Sequence, residues 1–97
     1  MNIPEFEFDP EKSQLNFIKH GIDFEEAQKL WIVPHFEIII KPVRGEIRWA
    51  LLGKLRGFVY AAVFTWRSRK VRLITCHRAD KRLIKIYEKG PQEEKKS

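Results

Sequence analysis

The sequence predicts an α+β fold, with elements in the order β-α-α-β-β-β-β-α and helices packed on a mostly antiparallel, twisted sheet. Two segments near the N-terminus each begin with an aspartate and place apolar residues at helical spacing. From residue 35 to residue 78 the apolar residues recur at every second position, which is typical of strands. Helical spacing returns in the last segment. The 97-residue length predicts one domain over residues 1–90, and the charged tail 91–97 is predicted to be disordered.

The first two elements are a short strand and a helix. In residues 3–8, IPEFEF, apolar and acidic residues alternate, and Pro4 suits the start or the edge of a strand. The stretch DPEKSQLNFIKHG then predicts a helix that Asp9 caps and that Gly21 closes in a left-handed conformation. The apolar residues of this helix form one stripe, made of Leu15 and Ile18 with Phe17 beside them.

A second helix follows almost directly, in IDFEEAQKLW. Asp23 and Glu26 have the spacing of a capping pattern, and Pro34 prevents the helix from continuing. Its apolar residues lie at helical spacing: Phe24, Ala27, Leu30 and Trp31.

Four strands occupy the middle of the chain: HFEIIIK, EIRWALLGK, GFVYAAVFTWR and KVRLITCHR. The third is nearly all apolar and is therefore predicted to be central. Short polar stretches at 53–57 and 67–70 predict hairpin connections, so the natural topology is a consecutive antiparallel meander. The last helix, ADKRLIKIYEKG, is expected to open at Ala79, directly after the strand ends.

Charge divides the chain into two halves. The net charge is +6, but residues 1–40 carry three basic and eight acidic side chains, whereas residues 41–97 carry sixteen and five. The basic half should attract phosphates or an acidic protein, and salt should weaken that attraction. The alternative is a solvated surface whose charges are merely distributed unevenly.

Several kinds of chemistry find no support in the sequence. The histidines, at 20, 35 and 77, have no metal-ligand spacing, and Cys76 is expected to be a core residue rather than a nucleophile. The basic half has few carboxylates for a magnesium-dependent nuclease, and no glycine-rich phosphate loop occurs. A single cysteine and the lack of an apolar run approaching ~20 residues predict a soluble cytoplasmic protein without contact to a membrane.

A cationic surface remains as the candidate site. RNA cleavage by the 2′-hydroxyl of the substrate needs proton transfer and neutralisation of an anionic transition state, which histidine and arginine supply without a metal or cofactor. Trp66, beside a hairpin turn, is expected to be exposed and to stack on bases, whereas Trp49 and Tyr60 are expected in the core. The cationic residues come from three strands and their turns: Arg48, Lys54, Arg67, Arg69, Lys70, Arg72, His77 and Arg78.

Four stretches together resemble the BrnT toxin family of type II toxin–antitoxin systems: FEFDPEKSQLNFIKHGIDFEEAQKLW, GEIRWALLG, FVYAAVFTWR and VRLITCHRADKRLIKIYE. The resemblance covers roughly residues 6 to 88. It implies a RelE-like ribonuclease fold, RNA cleavage without metal, and growth arrest. It also implies a cognate BrnA-type antitoxin with a ribbon-helix-helix part, a toxin–antitoxin heterotetramer, and binding of operator DNA only through the antitoxin.

By this resemblance, Arg48, Arg67 and Arg78 match arginines of the family, whereas His77 stands where many relatives have arginine and Trp66 where many have an acidic residue. We therefore predict that the catalytic residues are Arg48, Arg67, His77 and Arg78. The predicted substrate-binding residues are Lys54, Trp66, Arg69, Lys70 and Arg72. Two alternatives stay open, namely a non-catalytic RNA-binding module and a module that only binds an antitoxin. His20 is expected to have a structural role beside the C-terminus of its helix.

Overall fold

The computed structural model describes residues 3–90, which form five strands, three α-helices and one 3-10 helix. The predicted tail 91–97 lies outside the described residues. In chain order the elements are β1 (Glu5–Glu7), α1 (Pro10–His20), α2 (Phe24–Ala27), the 3-10 helix (Gln28–Trp31), β2 (His35–Val43), β3 (Glu46–Leu55), β4 (Phe58–Arg67), β5 (Lys70–Arg78) and α3 (Lys81–Lys89).

The strands form one mixed sheet in the order β1-β5-β4-β3-β2. Strands β2 to β5 pair with their chain neighbours in antiparallel fashion, while β1 pairs in parallel with β5 at the far side. The α+β class is therefore confirmed, and the sheet is mixed because the first strand joins the last one. Alternation of apolar residues marks a strand but not its neighbour, so this parallel pair was not predictable from the pattern. The likeness to RelE stays a prediction.

The two faces of the sheet are covered differently. One face, here called the core face, packs against α2 and the 3-10 helix through Phe24, Leu30 and Trp31, with Leu51 and Phe64 beneath them. The opposite face, here called the open face, meets α3 through a smaller cluster: Leu52, Ala61 and Leu83. Alternation along β3 places Arg48 on the same side as Leu52, beyond the part that α3 covers. The open face thus has one covered end and one end that presents polar side chains.

Helix α1 lies against the edge of β5 through polar residues. Its buried side chains are Ser13 and Asn16, whereas the apolar stripe formed by Leu15, Phe17 and Ile18 is 56–71% exposed. An apolar stripe usually faces the core, but in this helix it faces solvent. The physical reason lies in β5, because β1 pairs only with residues 70–72 of that strand and leaves the edge beyond them without a strand partner.

Asn16 supplies the missing partner at that edge. Its Nδ2 atom donates hydrogen bonds to the carbonyls of Cys76 (2.8 Å) and Ile22 (2.7 Å). Its Oδ1 atom accepts from the Cys76 backbone N–H (3.2 Å) and from the Thr75 hydroxyl (3.1 Å). The Ser13 hydroxyl accepts from the Phe24 backbone N–H at 2.8 Å. These buried bonds outweigh the apolar stripe in setting how α1 is rotated, because an unpaired buried backbone group costs about 1–3 kcal/mol.

The helix caps agree with the sequence in two of three cases. Asp9 accepts from the Glu11 N–H, Asp23 accepts from the Glu26 N–H, and Gly21 closes α1 with a φ of 75°. The third helix differs, because Asp80 is its N-cap and accepts from the Leu83 N–H at 2.9 Å. The helix therefore does not open at Ala79, and β5 continues as a strand up to Arg78.

Candidate functional site

Three arginines converge at the uncovered end of the open face. Thr65 of β4 pairs with Arg72 of β5, and Arg48 of β3 follows Trp49, which pairs with the neighbouring Phe64. Arg67 lies two residues beyond Thr65 and therefore on the same side. Arg48, Arg67 and Arg72, here called the arginine cluster, line a cavity of about 180 Å³. The other lining residues are Asp9, Lys12, Glu46, Thr65, Leu73 and Ile74.

Ion pairs position the arginine cluster without sealing it. Glu46 lies between two of its members, with Oε1 at 3.5 Å from Arg48 Nε and Oε2 at 3.5 Å from a terminal nitrogen of Arg67. Glu7 Oε2 lies 3.3 Å from a terminal nitrogen of Arg72. These separations are long for charge-assisted hydrogen bonds, and partly exposed pairs contribute only about 0–1 kcal/mol. A phosphate that enters the cavity can therefore replace carboxylate contacts at little cost.

Arg48 also has a donor that the protein does not use. Its Nε atom is buried, and among the described residues it has no hydrogen-bond partner, since the approach of Glu46 at 3.5 Å lacks hydrogen-bond geometry. Buried polar atoms in folded proteins nearly always have a partner, so this N–H is an unsatisfied donor next to the cavity. Arginine forks match the oxygens of phosphate in particular.

Thr65 has a structural part in the cavity. Its side chain is buried, and its hydroxyl donates to the Ile47 carbonyl at 2.8 Å. The hydroxyl is therefore occupied by the neighbouring strand. The bond ties the end of β4 to the end of β3, which keeps Arg67 close to Arg48.

His77 and Arg78 do not share a site with the cluster. His77 pairs with Ala61 and lies on the open face, while Arg78 pairs with Tyr60 of the core face. Because β5 is regular here, the two neighbouring side chains point to opposite sides of the sheet. From Arg72 to His77 the strand advances about 16 Å at ~3.3 Å per residue. Of the four predicted catalytic residues, the structure therefore brings together only Arg48 and Arg67.

His77 and Arg78, here called the HR pair, each have contacts of their own. The guanidinium carbon of Arg78 lies 3.8 Å from the centre of the Phe58 ring. His77 Nδ1 donates to the Arg78 carbonyl at 3.1 Å, and its ring lies 5.8 Å from that of His20.

The predicted substrate-binding residues are spread over both ends of the sheet. Arg72 belongs to the arginine cluster, and Lys70 pairs with Arg67 beside it. Arg69 lies in the β4–β5 turn next to them, with a φ of 71°. Lys54 pairs with Val59 at the other end of β3. The cluster and its neighbours therefore include three of the four predicted binding cations.

The aromatic predictions are confirmed in burial. Trp66 is 44% exposed, while Tyr60 is buried and Trp49 stacks on Phe64 with ring centres 5.9 Å apart. Trp66 packs edge-on against Phe64 of the core face, with ring centres 6.2 Å apart. It therefore lies on the opposite side of the sheet from the arginine cluster, and the two do not form one binding surface.

Cys76 is a core residue, as the sequence predicted. Its side chain is buried in the cluster on the core face, and this desolvation raises the pKa of the Cys76 thiol to about 12. A thiol in that state is not a nucleophile near neutral pH.

The structure adds two residues that the sequence did not suggest. Glu46 is two positions from Arg48 on one strand, and this spacing already places both on one side of the sheet. Lys12 gave no such signal, because it enters the cavity only through the orientation that Asn16 imposes on α1. Within residues 3–90 no group of three or more His, Cys, Asp or Glu side chains is arranged to hold a metal ion. None of the helices in that range is long and apolar enough to cross a membrane.

The fold and the cavity define a small α+β protein with a cationic site on the open face of its sheet. Residues 8–82 match the family described as "Ribonuclease toxin, BrnT, of type II toxin-antitoxin system". The chain therefore belongs to the BrnT family of ribonuclease toxins, and the resemblance seen in its sequence is confirmed. Membership implies an antitoxin partner and an RNA target. A search of curated proteins gave no match.

Proposed function

We propose that the chain is a metal-independent endoribonuclease toxin whose active site is the arginine cluster with Glu46. The observation that carries this proposal is the meeting of Arg48, Arg67 and Arg72 at a single cavity, where Glu46 pairs with the first two. Three guanidinium groups offer fixed positive charge where a phosphate would lie. Glu46 offers an acceptor for a proton at the same place.

The reaction that fits this arrangement is attack by the RNA's own 2′-oxygen. The 2′-oxygen forms a bond to phosphorus, its proton passes to the Glu46 carboxylate, and the bond from phosphorus to the 5′-oxygen breaks. The leaving 5′-oxygen takes a proton from water at the open side of the cavity, and Glu46 returns its proton to the hydroxide that is left. The products are a 2′,3′-cyclic phosphate and a 5′-hydroxyl end. The guanidinium groups of the arginine cluster stabilise the extra negative charge of the transition state, and that stabilisation is usually the largest catalytic contribution.

The decisive experiment compares variants of purified protein on a defined RNA in excess EDTA, with the new ends mapped. We expect the wild type to cleave under these conditions. Arg48→Ala and Arg67→Ala should each lower the cleavage rate by about 100-fold or more, which is typical of removing one group that stabilises transition-state charge. Arg82→Ala is the matched control, because it removes an exposed arginine of α3 that is remote from the cavity.

Two other variants test the sequence prediction for the HR pair. If Arg78→Ala or His77→Ala loses as much activity as Arg48→Ala, the active site lies at the far end of β5 and the present proposal is wrong. Dependence of wild-type cleavage on added metal would overturn metal independence. Binding of RNA without cleavage, across several RNAs and pH values, would favour the non-catalytic module.

The partner that we propose is a BrnA-type antitoxin with a ribbon-helix-helix part, which forms a heterotetramer with the toxin in the cytoplasm. The cations around the arginine cavity support this proposal, since an acidic antitoxin segment that covers them would exclude RNA. Operator DNA would bind only through the antitoxin. Co-expression with the neighbouring gene's product, followed by mass measurement and a cleavage assay of the complex, tests this. A complex that still cleaves RNA would contradict neutralisation by coverage.

A further inference from the structure

A groove leads away from the arginine cavity along α1 and β5. A second cavity of about 170 Å³ lies between this helix and this strand. It shares Lys12 and Ile74 with the arginine cavity, so the two depressions adjoin. The remaining residues of the second cavity are Leu15, Asn16, Lys19, His20 and Thr75. We call the two cavities together the α1–β5 groove.

The groove is basic even though the N-terminal half of the chain is acidic. Residues 1–40 contain only three lysines and no arginine, and two of these lysines, Lys12 and Lys19, line the groove. Within residues 3–90 neither of them makes an ion pair. Glu11 lies at a separate cavity on the flank of α1 that also carries Gln14 and Ile18. The helix therefore separates its charges and presents the positive ones beside β5.

The spacing of these cations suits an extended polyanion. Lys12 and Lys19 are seven residues apart, so their positions along the helix axis differ by about 10 Å at ~1.5 Å per residue. Beyond Lys19 the groove reaches His20, whose ring lies 5.8 Å from that of His77. From the arginine cluster to the two histidines the cationic or hydrogen-bonding groups thus follow one line. A line of separated positive groups matches successive phosphates of one nucleic-acid strand.

The groove is also held in place before any ligand arrives. Asn16 fixes its floor, because this side chain bonds both backbone groups of Cys76 and the hydroxyl of Thr75. A shift of register between Val63 and Phe64 adds Ile74 to β5 at the point where the two cavities meet. Fixed side-chain positions lower the entropy cost of ordering the site on binding.

We propose that the α1–β5 groove binds single-stranded RNA on one side of the scissile phosphate, with Lys12, Lys19 and His20 contacting its backbone. This inference rests on the proposed function, since the arginine cluster is taken as the place of cleavage. The toxin then recognises several consecutive nucleotides rather than a dinucleotide. His77 contributes to binding at the distal end of the groove, which gives it a role other than proton transfer at the scissile bond.

The test measures how affinity depends on RNA length. Labelled 2′-O-methyl oligonucleotides, which cannot be cleaved, are titrated with the full chain as a trinucleotide and as a nonanucleotide. We expect the wild type to bind the nonanucleotide about 10-fold more tightly or better. Lys19→Ala and Lys19→Glu should lose most of this gain. Lys19→Ala should also reduce the slope of log affinity against log salt concentration by about 0.7, the value for one lost phosphate contact on a single strand.

Lys29→Ala provides the matched control. Lys29 is also an exposed lysine of the acidic half, but it lies in the 3-10 helix and pairs with Glu26 at 3.5 Å. This variant should keep the wild-type gain in affinity with length. If it loses the gain as fully as Lys19→Ala does, the effect is one of net charge and the groove is not the binding track.

The outcomes separate the two proposals. If the gain with length is the same in Lys19→Ala and the wild type, while Arg48→Ala abolishes binding, the groove proposal is wrong and the arginine site stands. If the wild type binds neither oligonucleotide, both proposals fail. Equal or tighter binding of a duplex of the same length would overturn the assignment to single-stranded RNA.

Discussion

Both ends of β5 carry an arginine, Arg72 at one and Arg78 at the other, but the two ends differ in what surrounds that arginine. At the Arg72 end, three arginines from three strands line one cavity, Glu46 pairs with Arg48 and Arg67, and one buried N–H of Arg48 is unused. At the Arg78 end, the arginine lies against the Phe58 ring and the adjacent histidine faces the other way. His77 and Arg78 are adjacent in sequence but lie on opposite sides of the sheet. The three arginines of the cluster are distant in sequence but line one cavity. Register between strands, rather than proximity along the chain, decides which cations form a site.

The two ends also differ in what holds the strand in place. Near Arg72 the edge of β5 pairs with β1, and backbone groups of one strand satisfy those of the other. Beyond residue 72 a single side chain, Asn16, replaces a strand along that edge. The end of β5 near His77 therefore depends on Asn16 alone far more than the end near Arg72 depends on any one residue.

Replacing Asn16 tests this dependence and should have the largest effect. Asn16→Ala removes four hydrogen bonds and leaves the backbone groups of Cys76 buried without partners. We expect the free energy of unfolding to fall by about 3 kcal/mol, since each unsatisfied buried group costs about 1–3 kcal/mol. Denaturant unfolding measures the loss. Hydrogen exchange should show faster opening of residues 73–78 than of 70–72.

Gln14→Ala is the control for this change, because Gln14 is exposed on the same helix. It should alter the free energy of unfolding by less than about 0.5 kcal/mol, as surface substitutions usually do. A loss below about 1 kcal/mol in Asn16→Ala would show that water replaces the amide and that α1 is held mainly by other contacts.

The raised pKa of the Cys76 thiol should have a smaller effect on the free energy of unfolding, and only at alkaline pH. Burial raises its pKa from 9.0 to about 12, so the unfolded chain releases this proton at lower pH than the folded chain does. The resulting stability is fully present below about pH 9 and is lost as pH rises from there towards about 12. The expected contribution to the loss is on the order of 1 kcal/mol per pH unit above the unfolded value.

Comparison with Cys76→Ala isolates this contribution from lysine and tyrosine titrations. The variant should be less stable at pH 7, because a small cavity replaces the sulfur atom. Its free energy of unfolding should fall less steeply than that of the wild type between pH 9 and 11. Parallel pH profiles for the two proteins would contradict the assignment of a raised pKa to this thiol.

Local features of the fold could be read from the sequence, whereas contacts between distant residues could not. Asp9 and Asp23 were recognisable as caps because the groups that they bind lie two and three residues away. The rotation of α1 depends on a bond from Asn16 to Cys76, which is 60 residues away. Sequence periodicity carries no information about such a bond, so the exposure of the apolar stripe of α1 was not predictable.

The same distinction applies to the site. Arg48, Arg67 and Arg72 were all named from the sequence, because cations on neighbouring strands were expected to converge. Which of them converge was not predictable, since that depends on the pairing of β3, β4 and β5. The last helix was expected to open at Ala79, directly after the strand that ends in His77 and Arg78. One residue, the cap Asp80, moves that start to Lys81.

Arg78 and Phe58 provide the smallest effect and the finest test of how the two ends differ. An exposed arginine over an aromatic ring contributes about 0.5–1 kcal/mol. A double-mutant cycle with Arg78→Ala and Phe58→Leu should therefore give a coupling energy of about 0.5 kcal/mol in the free energy of unfolding. The corresponding cycle for Arg67 and Glu46, whose atoms are 3.5 Å apart at the surface, should give less. If the Arg67–Glu46 coupling energy is the larger one, Glu46 holds Arg67 firmly. A phosphate would then displace Glu46 from the arginine cluster only at a substantial cost in free energy. We expect the Arg78–Phe58 coupling energy to be the larger. In that case the arginine at one end of β5 stabilises the fold, whereas the cations at the other end remain available to RNA.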